Sequence, residues 1–249
     1  MTTAIVSVDT IQEFIDPVSA LVDECKLHWT PDGFEIRAVD PANVAMTHTR
    51  LSRDAFESYT DADATLGIPI DDLEDVLKFA GSNELLHIDY VERQQTLDLQ
   101  AGGLNYDLGL IDPGAIRQEP EIPELDLPGE FVLEGEQLSK YADAADMVDD
   151  KITLGFDLDS ETLYADGIGD TNSARYAIPG DDLIMGSCPE EVASMYSLDY
   201  LSDMVGVIDD DAEVRLELGS DYPCLFAFDI VEGHGNVRYQ LAPRIATED

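Results

Sequence analysis

Basic residues are scarce. Lysine and arginine together number 13, and only Lys26, Lys78, Lys140 and Lys151 are lysines, against 54 aspartates and glutamates. Cysteine is scarcer still: Cys25, Cys188 and Cys224 are odd in number and far apart, which suits buried thiols in a reducing cytosol better than a disulfide framework. No apolar run approaches the ~20 residues of a membrane span. The opening MTTAIVSVDTIQEF has neither a positive n-region nor an apolar h-region, so no signal peptide is expected and the chain is predicted to be cytoplasmic. Nucleotide loops are missing too; GIGDTN at 167–172 fits neither a Walker A loop nor a dinucleotide fingerprint. There is no GxSxG elbow, no HExxH and no CxxC. His28, His48, His87 and His234 are isolated, and a lone histidine is more often a satisfied structural residue than a ligand. Acid pairs such as Asp71–Asp72 and the run Asp209–Asp211 single out no catalytic pair in so acidic a chain. No catalytic residue, cofactor or metal is expected.

What is present is negative charge on a normal apolar content. The formal net charge is −41 and hydrophobic residues make up 44%. Disordered acidic chains lack that apolar fraction and its regular alternation. The composition fits a folded protein whose carboxylate surface works in concentrated salt, where the Debye length falls to about 3 Å at 1 M and self-repulsion is screened. An acidic protein with a basic partner is the alternative.

The 249 residues are room for one large domain or two of roughly 120. Near the midpoint, residues 112–129 read DPGAIRQEPEIPELDLPG, with Pro113, Pro120, Pro123 and Pro128. Proline fixes φ, removes a donor and restricts the preceding residue, so this run is neither interior helix nor central strand but an extended connector. Three parts follow: 1–111, a connector at 112–129, and 130–249. In the first, strands are expected at 4–8, 27–30, 34–39, 45–51, 55–60, 85–90, 95–101 and 106–111. Helices are expected at 10–25, with Pro17 kinking or breaking it, and at 70–80, stopped by Gly81. In the last, strands are expected at 130–133, 151–158, 162–167, 173–178, 212–219, 224–230 and 237–241, with helices at 134–150 and 197–206. Each half reads strand, helix, strands, helix, strands: a diverged duplication.

Three stretches carry a family resemblance. Residues 237–245 read VRYQLAPRI; residues 32–46 read DGFEIRAVDPANVAM; and the helix 70–81, ending Lys78-Phe79-Ala80-Gly81, is followed by Asn83-Glu84-Leu85-Leu86. Together, and in their order along the chain, they resemble the proliferating cell nuclear antigen (PCNA) family, the DNA sliding clamps of archaea and eukaryotes. The resemblance implies an α+β fold of two structurally similar clamp domains, with antiparallel sheets outside and helices lining the hole of a ring of three copies. It implies that 106–111 of one copy pairs with 173–178 of the next, through Tyr106, Leu108, Leu110, Arg175, Tyr176 and Ile178. It also implies a site for short partner motifs ending in paired aromatics, at Asp40, Asn43, Val44, Ile122, Pro123, Pro223, Gln240, Leu241, Ala242 and Pro243. The expected function is that of a processivity factor encircling duplex DNA without sequence preference and tethering DNA polymerase, clamp loader, flap nuclease and DNA ligase. A clamp-like acidic scaffold that binds the motifs without encircling DNA is the alternative.

One departure stands out. Clamps of this family usually face DNA with basic helices, whereas the four helices expected here hold sixteen acids against two bases, Lys78 and Lys140. Six phosphate contacts moved from ~0.1 M to ~2 M salt would lose on the order of 10⁷ in affinity. A basic lining would contribute little there, and retention would come from enclosure, with hydrated cations between phosphates and carboxylates.

Overall fold

The computed structural model describes residues 2–121, 123 and 125–244. Ile122 and Ile245 lie outside the described residues. The chain divides into two compact units. Of the described residues, unit 1 holds 2–41, 46–121 and 229–237, and unit 2 holds 42–45, 123–228 and 238–244.

The first run of elements is β1 (Thr2–Ser7), α1 (Val8–Ser19), β2 (Glu24–Thr30), β3 (Gly33–Val39), β4 (Ala45–Ser52), β5 (Ser58–Tyr59), β6 (Ala64–Pro69), α2 (Ile70–Ala80), β7 (Leu85–Val91), β8 (Thr96–Ala101) and β9 (Leu104–Gly109). The second is β10 (Gly129–Glu134), α3 (Gly135–Asp146), β11 (Lys151–Asp157), β12 (Thr162–Ile168), β13 (Ser173–Pro179), β14 (Met185–Ser187), β15 (Val192–Ser197), α4 (Leu198–Val205), β16 (Glu213–Leu218), β17 (Cys224–Ile230) and β18 (Gly235–Leu241). The two runs have the same order of helices and strands, and a short 3-10 turn follows the fourth strand of each.

Strand neighbours repeat as well. The first run gives β5-β1-β7-β8-β9 and β4-β3-β2-β6; the second gives β14-β10-β16-β17-β18 and β13-β12-β11-β15. Adding nine to every label of the first pair produces the second pair. Identical topology from such different sequences means that the pattern of apolar faces, not residue identity, is what is duplicated.

Local chemistry accounts for the helices. Ser7 caps α1, its Oγ accepting from the Thr10 N–H at 3.0 Å, and Ile11, Phe14, Ile15 and Val18 bury one face. Pro17 neither breaks α1 nor ends it at once. The helix runs to Ser19, because a proline this close to the terminus costs one donor while the Ala20 N–H still reaches the Asp16 carbonyl at 3.1 Å. Glu134 and Gln137 form a capping box at the start of α3. Gly81, at φ 80°, ends α2. Two helices end earlier than expected: α1 stops at Ser19 rather than 25, and α3 at Asp146 rather than 150.

Other expectations are corrected by the structure. Residues 55–60 are not one strand. A 3-10 turn, Arg53–Ala55, and the two-residue β5 take their place, because Phe56 and Tyr59 pack edge-on at 4.8 Å and Tyr59 also meets Trp29. β6, β14 and β15 have no counterpart in the sequence reading. The edge strand β9 ends at Gly109 rather than 111, because Ile111 turns away to bridge Gly67. A Cβ on Gly67 would lie 2.2 Å from the Ile111 carbonyl oxygen, so this crossing requires glycine. Cys25 and Cys224 are buried free thiols; Cys188 is half-buried and also free.

One half-buried carboxyl in α1 makes unit 1 pH-sensitive. Burial first, then the nearby Glu74, push Asp16 up to about 6, although Lys78 opposes this. The folded state therefore holds this proton more tightly than the unfolded chain, whose aspartates titrate near 4. The stabilisation is fully present below about pH 4 and is lost as pH rises through about 6. Asp16→Asn is expected to stabilise the protein by about 1 kcal/mol at pH 8, a figure reduced for the carboxyl's partial exposure. The gain should vanish below pH 4; urea unfolding of both proteins at the two pH values measures it.

Candidate partner-peptide site and free edge strands

Most of the expected partner-motif residues fall in unit 2. Asn43 adopts φ 58° and precedes Val44, whose carbonyl accepts the Ala242 N–H at 2.8 Å. That bond ties the 42–45 segment to the end of β18. Leu241 is fully buried, and its carbonyl faces the Cys224 thiol at 3.9 Å, next to Pro223. Val44, Pro223, Ala242 and Pro243 are half-buried. Val44 and Ala242 are thus held side by side, and Pro223 precedes the cysteine whose thiol meets the Leu241 carbonyl.

Gln240 differs from its neighbours. It is 7% exposed, and its Oε1 has no hydrogen-bond partner among the described residues. A buried acceptor left unpaired costs roughly 1–3 kcal/mol, which a donor from a bound peptide would recover. Asp40 is a buried residue of unit 1, and Pro123 is exposed in the connector.

Sequence reading missed Tyr222. Its carbonyl accepts from the Tyr196 hydroxyl at 2.9 Å and the Ser194 hydroxyl at 3.3 Å, which fixes the backbone and leaves the ring 55% exposed beside Pro223. The signal available was an aromatic directly before a proline, after Asp221, which takes φ 59°.

β9 and β13 each have one hydrogen-bonded neighbour among the described residues, β8 and β12 respectively. Leu108 and Ile178 point into the cores, Tyr106 and Tyr176 are partly exposed, and Leu110 lies just past the end of β9. Arg175 is already engaged: its Nε donates to Asp166 Oδ1 at 2.6 Å, Nη2 contacts the other oxygen, and the guanidinium lies 4.1 Å from the Tyr164 ring centroid. This fixes the outward face of β13 against β12.

The two lysines expected to face DNA are likewise engaged. Lys78 pairs with Glu74, and Lys140 with Glu136, each at 2.7 Å and four residues apart on one helix. The carboxylate hydrogen bond in each case raises the lysine pKa. Neither leaves a net positive charge on its helix.

The N-terminal domain family of proliferating cell nuclear antigen matches residues 3–103. The DNA polymerase sliding clamp of Natronomonas pharaonis is 48% identical over 245 residues, 98% of this chain and 99% of its own. That of Haloarcula marismortui is 47% identical over 248 residues, the whole of both chains. Among solved structures, PCNA of A. fulgidus bound to the C-terminal region of FEN-1 superposes with a TM-score of 0.92 at 34% identity over all of both chains. The doubled topology and relatives of this identity along its full length place the chain in the PCNA family of DNA polymerase sliding clamps.

Proposed function

We propose that this protein is a non-enzymatic DNA polymerase sliding clamp. Three copies close head to tail into a ring around duplex DNA, and the surface at Val44, Pro223 and Ala242 tethers replication and repair enzymes by short motif peptides. The observation that carries this reading is that β9, in the first run, and β13, in the second, each leave one edge without a partner strand among the described residues, and are not each other's counterparts in the repeat. An exposed strand edge is an aggregation hazard unless something completes it. Pairing two unlike edges between copies is a heterologous contact, and one that closes gives a ring instead of a filament.

The FEN-1 peptide bound by the A. fulgidus relative supports the tethering role. Two or three apolar anchors at ~1.5–3 kcal/mol each give roughly 4–9 kcal/mol before ordering costs, which places a minimal peptide near micromolar affinity. Such partners exchange readily, and their apolar grip survives strong salt. With Lys78 and Lys140 neutralised by their own helices, the duplex is retained by enclosure.

Light-scattering mass in about 2 M KCl, where the screening length is below 3 Å, tests the ring. Three times the 27.3 kDa subunit mass is expected, together with retention on circular but not linear DNA. A monomer that still binds motif peptides would establish the scaffold alternative instead.

A further inference from the structure

Each run of the duplication ends by tying a residue past its last strand across to an edge strand. In the first, the Ile111 N–H donates to the Gly67 carbonyl of β6 at 2.9 Å. In the second, the Arg244 N–H donates to the Met195 carbonyl of β15 at 2.7 Å. β6 and β15 each end a sheet and are counterparts in the repeat, as are β9 and β18, the strands that lead to the two ties. The ties are secured differently. After Ile111 the chain goes on to bury Ile116 against Gly67. Arg244 secures its own tie: Nη1 lies 3.2 Å from Asp150 Oδ2 and 3.4 Å from the Asp150 carbonyl oxygen.

Asp150 is itself fixed. Its carbonyl accepts from the Leu198 N–H, at the start of α4, at 3.0 Å, and the next residue, Lys151, is in register with Ser197 on β15. Lys151 Nζ stands 3.8 Å from the other carboxylate oxygen, so it competes with Arg244 only loosely. The span Ala242–Pro243 lies between two fixed points. The Ala242 N–H is bonded to the Val44 carbonyl at 2.8 Å, Pro243 has no N–H and a set φ, and the Arg244 N–H closes the far end. Two of the residues expected to meet partner motifs are thus stretched between hydrogen bonds two residues apart, and all of these groups lie within unit 2. A lone backbone bond at a sheet edge opens readily, but the charge-assisted contact to Asp150 holds the same residue by its side chain.

We propose that Arg244, through its contact with Asp150, is a positioning residue for the partner-motif site: it holds Ala242 and Pro243 in the conformation that a bound peptide meets. The inference rests on the motif-binding reading proposed above. Arg244 acts on the free protein. With its side chain cut back, the end of the span is no longer held, and a partner must order it on binding. Affinity then falls although no contact with the peptide has been removed.

The probe is a labelled peptide of the FEN-1 C-terminal region, the segment bound by the A. fulgidus relative, followed by fluorescence anisotropy in about 1 M KCl, where screening over about 3 Å leaves direct contacts. Arg244→Met, which keeps the aliphatic stem, should weaken binding about fivefold. Asp150→Asn should weaken it by a similar factor, and the double variant by no more than either alone, since both changes remove one contact. Arg244→Lys, which keeps the charge, should lose less. Arg93→Met, the same loss of charge on the exposed turn after β7, should leave binding unaltered. The urea midpoints of all variants should match that of the wild type, because an exposed ion pair contributes little to global stability. Unchanged binding by Arg244→Met, or losses that add in the double variant, would overturn this inference and leave the motif site in place. A binding loss accompanied by a fallen urea midpoint would assign Arg244 to folding alone and overturn it as well. No binding by the wild type would overturn the motif-site reading itself, and this inference with it.

Discussion

Moved from about 2 M KCl to about 0.1 M, the protein is expected to lose most of its stability, because the screening length grows from below 3 Å to about 10 Å. Within 10 Å, each carboxylate on an element such as α2, which carries Asp71, Asp72, Glu74 and Asp75, feels its neighbours, and the 13 cations offset few of them. Most of those cations are already spent on individual pairs, as Lys78 is on Glu74. A domain's whole stability is only about 5–15 kcal/mol, so a repulsion on the order of 10 kcal/mol suffices to unfold it. The thermal midpoint should fall by about 20–40 °C between the two salts. Circular dichroism melts across a KCl series measure this. A flat series would remove the salt-adapted reading and favour an acidic protein neutralised by a basic partner.

Gly33→Val is expected to be the most damaging single substitution in unit 1, at about 4 kcal/mol or more. Gly33 opens β3 at φ +135°, a region that side chains avoid, and a Cβ there would lie 2.0 Å from the Leu51 carbonyl oxygen and 2.8 Å from the Arg53 nitrogen. Neither atom can yield. Gly33 is in register with Ser52, and the Arg53 N–H is bonded to the Asp32 carbonyl at 2.9 Å. Gly103→Ala is the control: φ is +83°, but nothing stands within 4 Å of the new methyl, so about 1–2 kcal/mol of backbone strain is the whole cost. Urea unfolding of both variants in molar salt separates them. Equal losses would mean that backbone conformation alone, and not the close approach of β4, demands glycine at 33.

Several elements were legible because one local signal sufficed. The apolar face Ile70, Leu73, Val76 and Leu77, bounded by Pro69 and Gly81, gave α2 its correct limits. The alternation at 27–30 and 34–39 around Pro31-Asp32-Gly33 gave the β2–β3 hairpin, although β2 begins at Glu24, in residues read as the end of a helix. Others were hidden because the deciding partner is distant in sequence. β6 reads ATLGIP, with a glycine and a proline that argue against a strand, yet Gly67 is there to admit the Ile111 carbonyl. β14 is three exposed residues with no pattern, held to β10 by ladder bonds. Of the partner-motif residues, the VRYQLAPRI stretch pointed to the end of β18, but Tyr222 became apparent only once Ser194 and Tyr196 were seen to hold its carbonyl.

By itself the sequence determined the doubling, the acidic character and the family, since apolar periodicity, composition and short motifs are all properties of neighbouring residues. Only the tertiary structure decided which strands end their sheets, and that Arg244 reaches back to Asp150, because both depend on residues far apart in the chain. The same long-range packing decided that Gln240 is buried with its oxygen unpaired among the described residues.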